Sequence, residues 1–347
     1  MKGRVLFFFL TILLLPLPIA GAQQVVLKAN LQAAISNPFY GKSLARLKEE
    51  VERQSKGTLT IEIAEKLFRD EQVIGAVTSG AVEIGFTSST LFADRVPAVA
   101  IIGQPFLFNF PALVRAATGP GSEIRKLIDE EILHRIGLRV LWWQSLSVNV
   151  FFSKGWDVAD VGLLKGKRVA VPSKTAGGLV ARCGGIPTAL SVEGHEGAIR
   201  DGTLEMAMLA LPGLQSQGLW KVTDTISYTA HAPVEMFLVI NEKAWQSLSL
   251  GHRAILADAA RVVEGESRER VAKIETGIHA FAASKGMTIK ALTPDQVAEW
   301  RACSAEMLDD YMERGGELAR KLMDAYGKLR TDPCCTGGPS TEVFTRR

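Results

Sequence analysis

Histidine, cysteine and tyrosine are scarce in these 347 residues, numbering five, four and four. The histidines, His134, His195, His231, His252 and His279, are scattered, and none falls in an HExxH or comparable metal-ligand spacing. The cysteines offer neither CxxC nor a Cys/His pattern, so a zinc site has no sequence basis. Cys183 and Cys303 are isolated and Cys334-Cys335 are adjacent; a Cys183–Cys303 bridge and two buried thiols both remain open.

Nucleophile signatures are missing too. The chain has no GxSxG elbow, Walker loop or kinase set. The stretch "GPGSEI", Gly119 to Ile124, lacks a third glycine and does not follow a strand directly, which makes it a loop turn. Ser153-Lys154 and Ser173-Lys174 pair a hydroxyl with an amine, but strand neighbours point to opposite faces, so neither lysine reaches its serine. The acidic pairs Glu49-Glu50 and Asp309-Asp310 lie on helical stretches and read as surface charge.

Clustered positive charge interleaved with aromatics is likewise missing, which gives a nucleic-acid partner no support. Long apolar runs are confined to the start. Met1 to Ala22 carries Lys2 and Arg4, an apolar run from Val5 to Leu15, Pro16 and Pro18, and then Ala20-Gly21-Ala22. That pattern is a cleaved export signal ending before Gln23; the prolines interrupt it short of the roughly 20 residues of a membrane span. Without Lys2 and Arg4 the formal charge of +3 falls by two, to +1. The remainder is expected to be soluble and, in a bacterium with two membranes, periplasmic.

What is there is an α/β pattern, written twice. "VVLKAN" and "TLTIEIA" are β-runs, separated by a helix with Leu44, Leu47 and Val51 at spacings of three and four. A helix closing at Gly80 leads to a third β-run, Val82 to Phe86. This β-α-β-α-β order predicts a mostly parallel sheet with crossover helices. "LRVLWWQS", "VNVFFSK" and "RVAVP" then begin a second set, with a helix through "GGLVARCGG", a helical "EGHEGAIRDG", the apolar "LEMAMLA" and the β-run "VEMFLVIN". Two lobes follow, crossing near Ser145 to Asn149 and returning near His231 to Phe237. From Ser249 onward the pattern is helical, with Thr293-Pro294-Asp295-Gln296 as a capping-box start.

Four segments in order carry a family likeness: "NPFYGKSLARLKEEVERQSKGTLTIEI", "GAVTSGAVEIGFTSSTLFADRVPAVAIIGQPFLF", "LLKGKRVAVPS" and "VTDTISYTAHAPVEMFLVINEKAWQSL". The chain resembles the solute-binding proteins of tripartite ATP-independent periplasmic (TRAP) transporters, the DctP type, from about Val25 to Leu329. The resemblance implies an α/β, two-lobe periplasmic binding protein fold with hinge strands and long C-terminal helices. It implies capture of a small organic solute between the lobes and delivery to the membrane permease subunits, with no cofactor and no catalysis. Expected boundaries are a signal peptide over 1–22, lobe I over 23–147 plus about 236–275, lobe II with the C-terminal helices over 148–235 plus about 276–330, and a disordered tail over 331–347.

Residue by residue, the resemblance makes an unusual site. The family's Leu-Lys-Gly-x-Lys-x-Arg-x-Pro segment places its carboxylate-clamping arginine at Ala170, with Pro172 as anchor. Its asparagine after the later β-run falls on Leu209, its second arginine on Asn149, and a polar contact after the third strand on Ser88. Asn30 at the first strand end, Ser173, and Glu235 on the return strand complete the candidate ligand-binding residues; for Glu235 and nearby His231, hinge hydrogen bonding is the alternative role. Either the solute lacks the usual carboxylate and packs an apolar body on Leu209, Met206 or Met208, or Arg168, two residues from Ala170 on the same strand face, takes over the clamp. Arg168 aligns with a family lysine, and a surface cation near the lobe rim is its alternative role. Trp142 and Trp143 read as core residues, with the cleft as the alternative for one of them, since adjacent strand residues point opposite ways. An exported hydrolase or isomerase, or a sensor without transport, are the alternatives to a receptor.

Overall fold

The computed structural model describes residues 24–335. The export signal therefore lies outside the described residues, as do residues 336–347 of the expected tail.

Three strands open the chain: β1 (Val25–Leu31), β2 (Leu59–Glu65) and β3 (Ile84–Ser88), linked by helices α1 (Tyr40–Ser55) and α2 (Asp70–Ser79). β1 pairs parallel with both β2 and β3. Leu44, Leu47 and Val51 of α1 are buried against one sheet face, as their spacing requires, while Val73, Ile74 and Val77 of α2 cover the other. Gly80 stops α2 in the left-handed conformation, the stop expected from the sequence.

Residues Ser89–Asp94 and Pro97–Gly103 form two 3-10 turns ahead of α3 (Pro111–Thr118) and α4 (Glu123–Ile136). The "GPGS" of "GPGSEI" is the loop between those helices, Glu123 and Ile124 already belong to α4, and Ser122 caps α4 by accepting the Arg125 N–H. The runs "LRVLWWQS" and "VNVFFSK" are one strand, β4 (Leu138–Ser153), irregular between Ser145 and Ser147. Its first part pairs with the return strand and its second part with a different set of strands, so this one element crosses between halves. Trp142 and Trp143 alternate across it into separate cores, both fully buried, and neither faces a cleft.

The second half contains β5 (Arg168–Val171), α5 (Lys174–Arg182), β6 (Ile186–Ala189), α6 (His195–Arg200), β7 (Met206–Ala210), the single turn α7 (Gly213–Ser216) and β8 (Thr225–Tyr228). β5 lies parallel between β6 and β7, and β7 joins β4 antiparallel. The return strand β9 (Pro233–Asn241) then inserts between β3 and β4, antiparallel to both. The sheet is thus parallel within each half, and its antiparallel pairings gather on the crossing strands.

Helices complete the chain. After α8 (Glu242–Ser247), α9 (Leu250–Ser284) runs 35 residues, about 52 Å at 1.5 Å per residue. Leu256, Ala259 and Val263 belong to a core of the first half, and Ile278 and Ala282 to a core of the second, so α9 spans both. A short strand that periodicity missed, β10 (Thr288–Ala291), pairs parallel with β8. α10 (Pro294–Ser304) starts on the expected Thr293 capping box. α11 (Glu306–Thr331) kinks at Gly316, whose φ of 56° suits only glycine well.

Of the two open readings of the cysteines, the bridge is the one realised: Cys183 at the end of α5 is disulfide-bonded to Cys303 in α10, Cα to Cα 5.2 Å. Nearby, the Trp300 indole N–H donates to the Val158 carbonyl at 3.1 Å. The C-terminal helices are thereby fixed to the second half as well as to the first-half core that receives Leu322 and Ala325. Residues 331–335, expected within the tail, are instead the end of α11 and a 3-10 turn over Pro333–Cys335.

Candidate functional site

In parallel α/β sheets, ligands gather at the carboxyl ends of strands, where adjoining helices begin. Here those ends are β1 and β3 in one half and β5 and β7 in the other. At the end of β1, Asn30 is fully buried. Its Oδ1 accepts the Phe68 N–H at 2.8 Å and its Nδ2 donates to the Phe68 carbonyl at 3.1 Å, closing the loop before α2. One amide hydrogen is left over for another partner.

Ser88 ends β3. Its N–H donates to Asp70 Oδ1 at 3.1 Å and its hydroxyl pairs with Thr90 at 2.9 Å. Asp70 is the first residue of α2, where an anion suits the helix dipole. Burial nevertheless pushes its carboxyl up to about 6, against the Thr87 and Ser88 hydrogen bonds and with help from the Glu71 and Glu193 charges. Tyr40, the first residue of α1, rests its ring 5.7 Å from Phe86. Burial, followed by the Asp70 and Glu193 charges, raises its phenol to about 12. Glu193 lies in the turn after β6, so its field reaches Tyr40 and Asp70 from the other half of the chain.

The halves also touch directly. Lys174, opening α5, meets Asp94 at 2.7 Å, and Thr175 lies beside Gly103. Both charges are well exposed, which limits this bridge to well under 1 kcal/mol or so.

On the second half the strand ends are apolar. Ala170 is fully buried between Thr188 of β6 and Ala207 of β7, in a core with Val150, Phe152 and Leu211. Leu209 is half-buried opposite Val150 and closes over Gly213. A Cβ on Gly213 would come within 2.3 Å of Leu209 Cδ2. Ser173 caps α5 by accepting the Ala176 N–H at 3.2 Å. Asn149, opposite Ala210 where β7 ends, donates its N–H to the Ala232 carbonyl at 2.9 Å, while its buried Oδ1 has no hydrogen-bond partner.

Arg168 stands apart from these residues, and its surroundings suit the surface-cation role rather than the clamp. It opens β5, at the amino end of the strand, and its guanidinium forks onto Glu205, Nε at 3.0 Å and Nη2 at 2.9 Å, with Gly202 accepting a further bond at 2.8 Å. Arg168 starts the strand, and its bonds to Glu205 and Gly202 hold the guanidinium at that amino end. The paired Glu205 is held below the ordinary carboxylate range by that arginine.

Glu235 lies on β9 opposite Ser145, fully buried, its oxygens without a partner at bonding distance. Burial lifts its carboxyl to about 7, partly offset by Arg268. Its electrostatic surroundings are a buried network at the crossing: Arg125 and Arg268 both bind Glu264, Arg125 also meets Asp129, and Asp129 accepts the Trp143 indole N–H at 2.8 Å. His231 is pushed down to about 3 by burial, its Nδ1 2.7 Å from the Thr229 hydroxyl and its ring near Phe106 and Phe151. These two residues lie on or just before the return strand, where it pairs with β4.

The structure thus gathers Asn30 and Ser88 at the ends of one half, and Ala170, Leu209, Ser173 and Asn149 at the ends of the other; Arg168 and Glu235 stand apart. Sequence reasoning missed Tyr40, Asp70 and Glu193. Tyr40 and Asp70 each open a helix directly behind a strand end, and that position was a usable signal; nothing local marks Glu193.

A model of the DctP family, described as bacterial extracellular solute-binding protein, family 7, matches residues 32–314. A "solute-binding protein" of Verminephrobacter eiseniae is 24% identical over 275 residues, covering 77% of this chain and 80% of its own. DctP7 of Bordetella pertussis, an extracytoplasmic solute receptor whose crystal structure is described as binding pyroglutamic acid, superposes with a TM-score of 0.79 at 20% identity, over 87% of this chain and 99% of that one. A TRAP periplasmic solute-binding protein of Desulfovibrio desulfuricans with bound sn-glycerol-3-phosphate gives 0.82 at 20% identity, over 89% and 98%. These structures share the two-lobe fold.

Proposed function

The chain belongs to bacterial extracellular solute-binding protein family 7, the DctP type, and we propose that within it the chain is the periplasmic receptor of a TRAP-type secondary transporter, delivering its solute to the membrane permease subunits. The solute is a small organic molecule, an organic acid or a less polar relative, held without covalent chemistry. Export uses the segment cut near Ala22. The lobes divide near residues 147 and 235, and the hinge strands carry the closure that commits solute to the permease.

The observation that carries the solute class is Ala170, buried in an apolar wall where the family resemblance puts a clamping arginine. Asp70 and Tyr40 are ionisable groups beside the first-half strand ends, with the Glu193 charge acting on both. A plain dicarboxylate would find repulsion there; a solute with an apolar body toward Leu209 and a hydrogen-bond donor toward Asp70 fits both walls. Asn30, Ser88, Asn149 and Ser173 supply the remaining polar contacts in this reading. Pyroglutamic acid and sn-glycerol-3-phosphate, in the similar structures, give the size class.

A thermal-shift screen against dicarboxylates, polyols and acids with apolar bodies tests it. Solute at 100 times its Kd stabilises by about 2.7 kcal/mol. Hits concentrated among solutes with an apolar body are expected, and a response confined to small dicarboxylates would overturn the solute class. Turnover of any bound solute would overturn the receptor reading.

A further inference from the structure

Behind the crossing strands lies a cavity of about 130 Å³ that shares no residue with the candidate ligand-binding set. Its walls come from the segment Phe108–Thr118, the crossing residues Ser145, Ser147 and Val148, the stretch Tyr228–Pro233, and the face of α9 carrying Arg268, Val271, Ala272 and Glu275. A volume of this size has room for on the order of ten small atoms or waters.

Most of the wall is apolar, and two buried polar atoms in it, Ser147 Oγ and Asn109 Oδ1, have no partner at bonding distance. Ser147 is 4% exposed, and its hydroxyl, which faces Glu275, has no partner at bonding distance. Asn109 Oδ1 is buried and unpaired. Glu275 meets no cation within ion-pair distance among the described residues, and Arg115, exposed at the opening, meets no carboxylate. Structures rarely leave buried polar groups idle without an occupant or a purpose. An unpaired guanidinium and an unpaired carboxylate facing one apolar hollow, too far apart to pair with each other, ask for a guest carrying both complementary charges.

We propose that this cavity is a second small-molecule site, taking an amino-acid-like zwitterion with a short apolar side chain, its carboxylate on Arg115 and its ammonium on Glu275, Ser147 and Asn109. The apolar body lies on Val148, Val271 and Phe110. Two of the five non-glycine residues with positive φ among the described residues, Ser147 at 115° and Ala230 at 45°, line it. Backbone held in such conformations marks positions the surroundings must enforce. A guest wedged between them and α9 therefore favours the lobe angle at which the cavity has this shape.

The probe is L-leucine, titrated calorimetrically into the exported chain. Saturable one-to-one binding is expected, weakened about tenfold or more in Arg115→Ala and in Glu275→Gln, the factor expected for a lost charge-assisted hydrogen bond. Isocaproate, which lacks the ammonium, and isoamylamine, which lacks the carboxylate, bind weaker by a similar factor. Ala272→Trp fills the hollow from an exposed helix position and abolishes binding without touching a charge. No binding of leucine at millimolar concentration overturns the proposal. So does binding that all three variants leave unchanged, since leucine would then occupy the strand-end cleft; neither result bears on the receptor assignment.

Discussion

The two sets of strand ends are built on opposite principles. In the first half, polar groups are fixed before any solute arrives: Asn30 is bound to Phe68, Ser88 to Asp70, and Tyr40 is packed on Phe86. In the second half, Ala170 and Leu209 present hydrocarbon, and polarity is confined to a helix cap and to the buried Asn149. The difference divides the labour of recognition. Preorganised polar groups set orientation at little entropic cost, whereas an apolar wall gains from any body of suitable shape. The halves are also secured differently, since the disulfide lies wholly in the second.

The largest effect should come from removing that asymmetry. Cys183 and Cys303 close a loop of 120 residues, so the Cys183→Ala/Cys303→Ala variant should lose about 4–5 kcal/mol by the chain-entropy relation. Calorimetry with and without reductant checks it: reductant should destabilise the parent and leave the variant alone. If the parent is indifferent to reductant, the second half does not depend on its staple.

Next comes the joint between the halves. The Glu235 carboxyl is raised from 4.5 to about 7 by burial, so the folded chain holds that proton more tightly than the unfolded one. Its contribution to stability is full below pH 4.5 and is lost as the pH rises through about 7. Glu235→Gln should flatten this slope and stabilise the protein above pH 7 by at most about 3 kcal/mol, at 1.36 kcal/mol per unit. Thermal unfolding of parent and variant at pH 5 and pH 8 decides it, and an unchanged difference between the two pH values would move the titration to Asp129, which burial also raises to about 7.

A smaller change probes the apolar wall alone. Gly213→Ala drives a methyl into Leu209, and overpacking of this kind costs about 1–3 kcal/mol. The informative readout is the pattern: affinity for solutes with an apolar body should fall more than affinity for compact polar ones. An equal loss for both would mean that Leu209 is only structural.

How much of this was legible beforehand follows from the range over which each feature is determined. The β-α-β order, the Gly80 stop, the Thr293 cap and the two crossings are local patterns, and they stand where periodicity and capping put them. Two β-runs were a single strand because the irregularity at Ser147 interrupts the alternation without ending the pairing. β10 was missed because four residues carry too little pattern, and only its partner β8, some 60 positions earlier, makes it a strand. Ala170 could be aligned with the family's clamp position because one proline anchors the segment. Glu193 was not, because its place beside Tyr40 and Asp70 depends on how two distant halves meet.

Arg168 is the sharpest case of that limit and the smallest expected effect. Sequence spacing alone allowed a guanidinium two residues early to reach a carboxylate at the strand end. What decided the matter was Glu205, 37 residues downstream, which draws the fork to the amino end of β5 and is matched there by the Gly202 carbonyl. The pair is substantially exposed, with 44% and 32% of the two side chains accessible, so Arg168→Ala should leave stability almost unchanged, and more so in high salt. Solute affinity should be unchanged. A clamp would lose most of its affinity on that substitution, so an intact Kd in Arg168→Ala leaves the second half with no cation at its strand ends from β5, and a collapsed one would return this solute to the ordinary carboxylates.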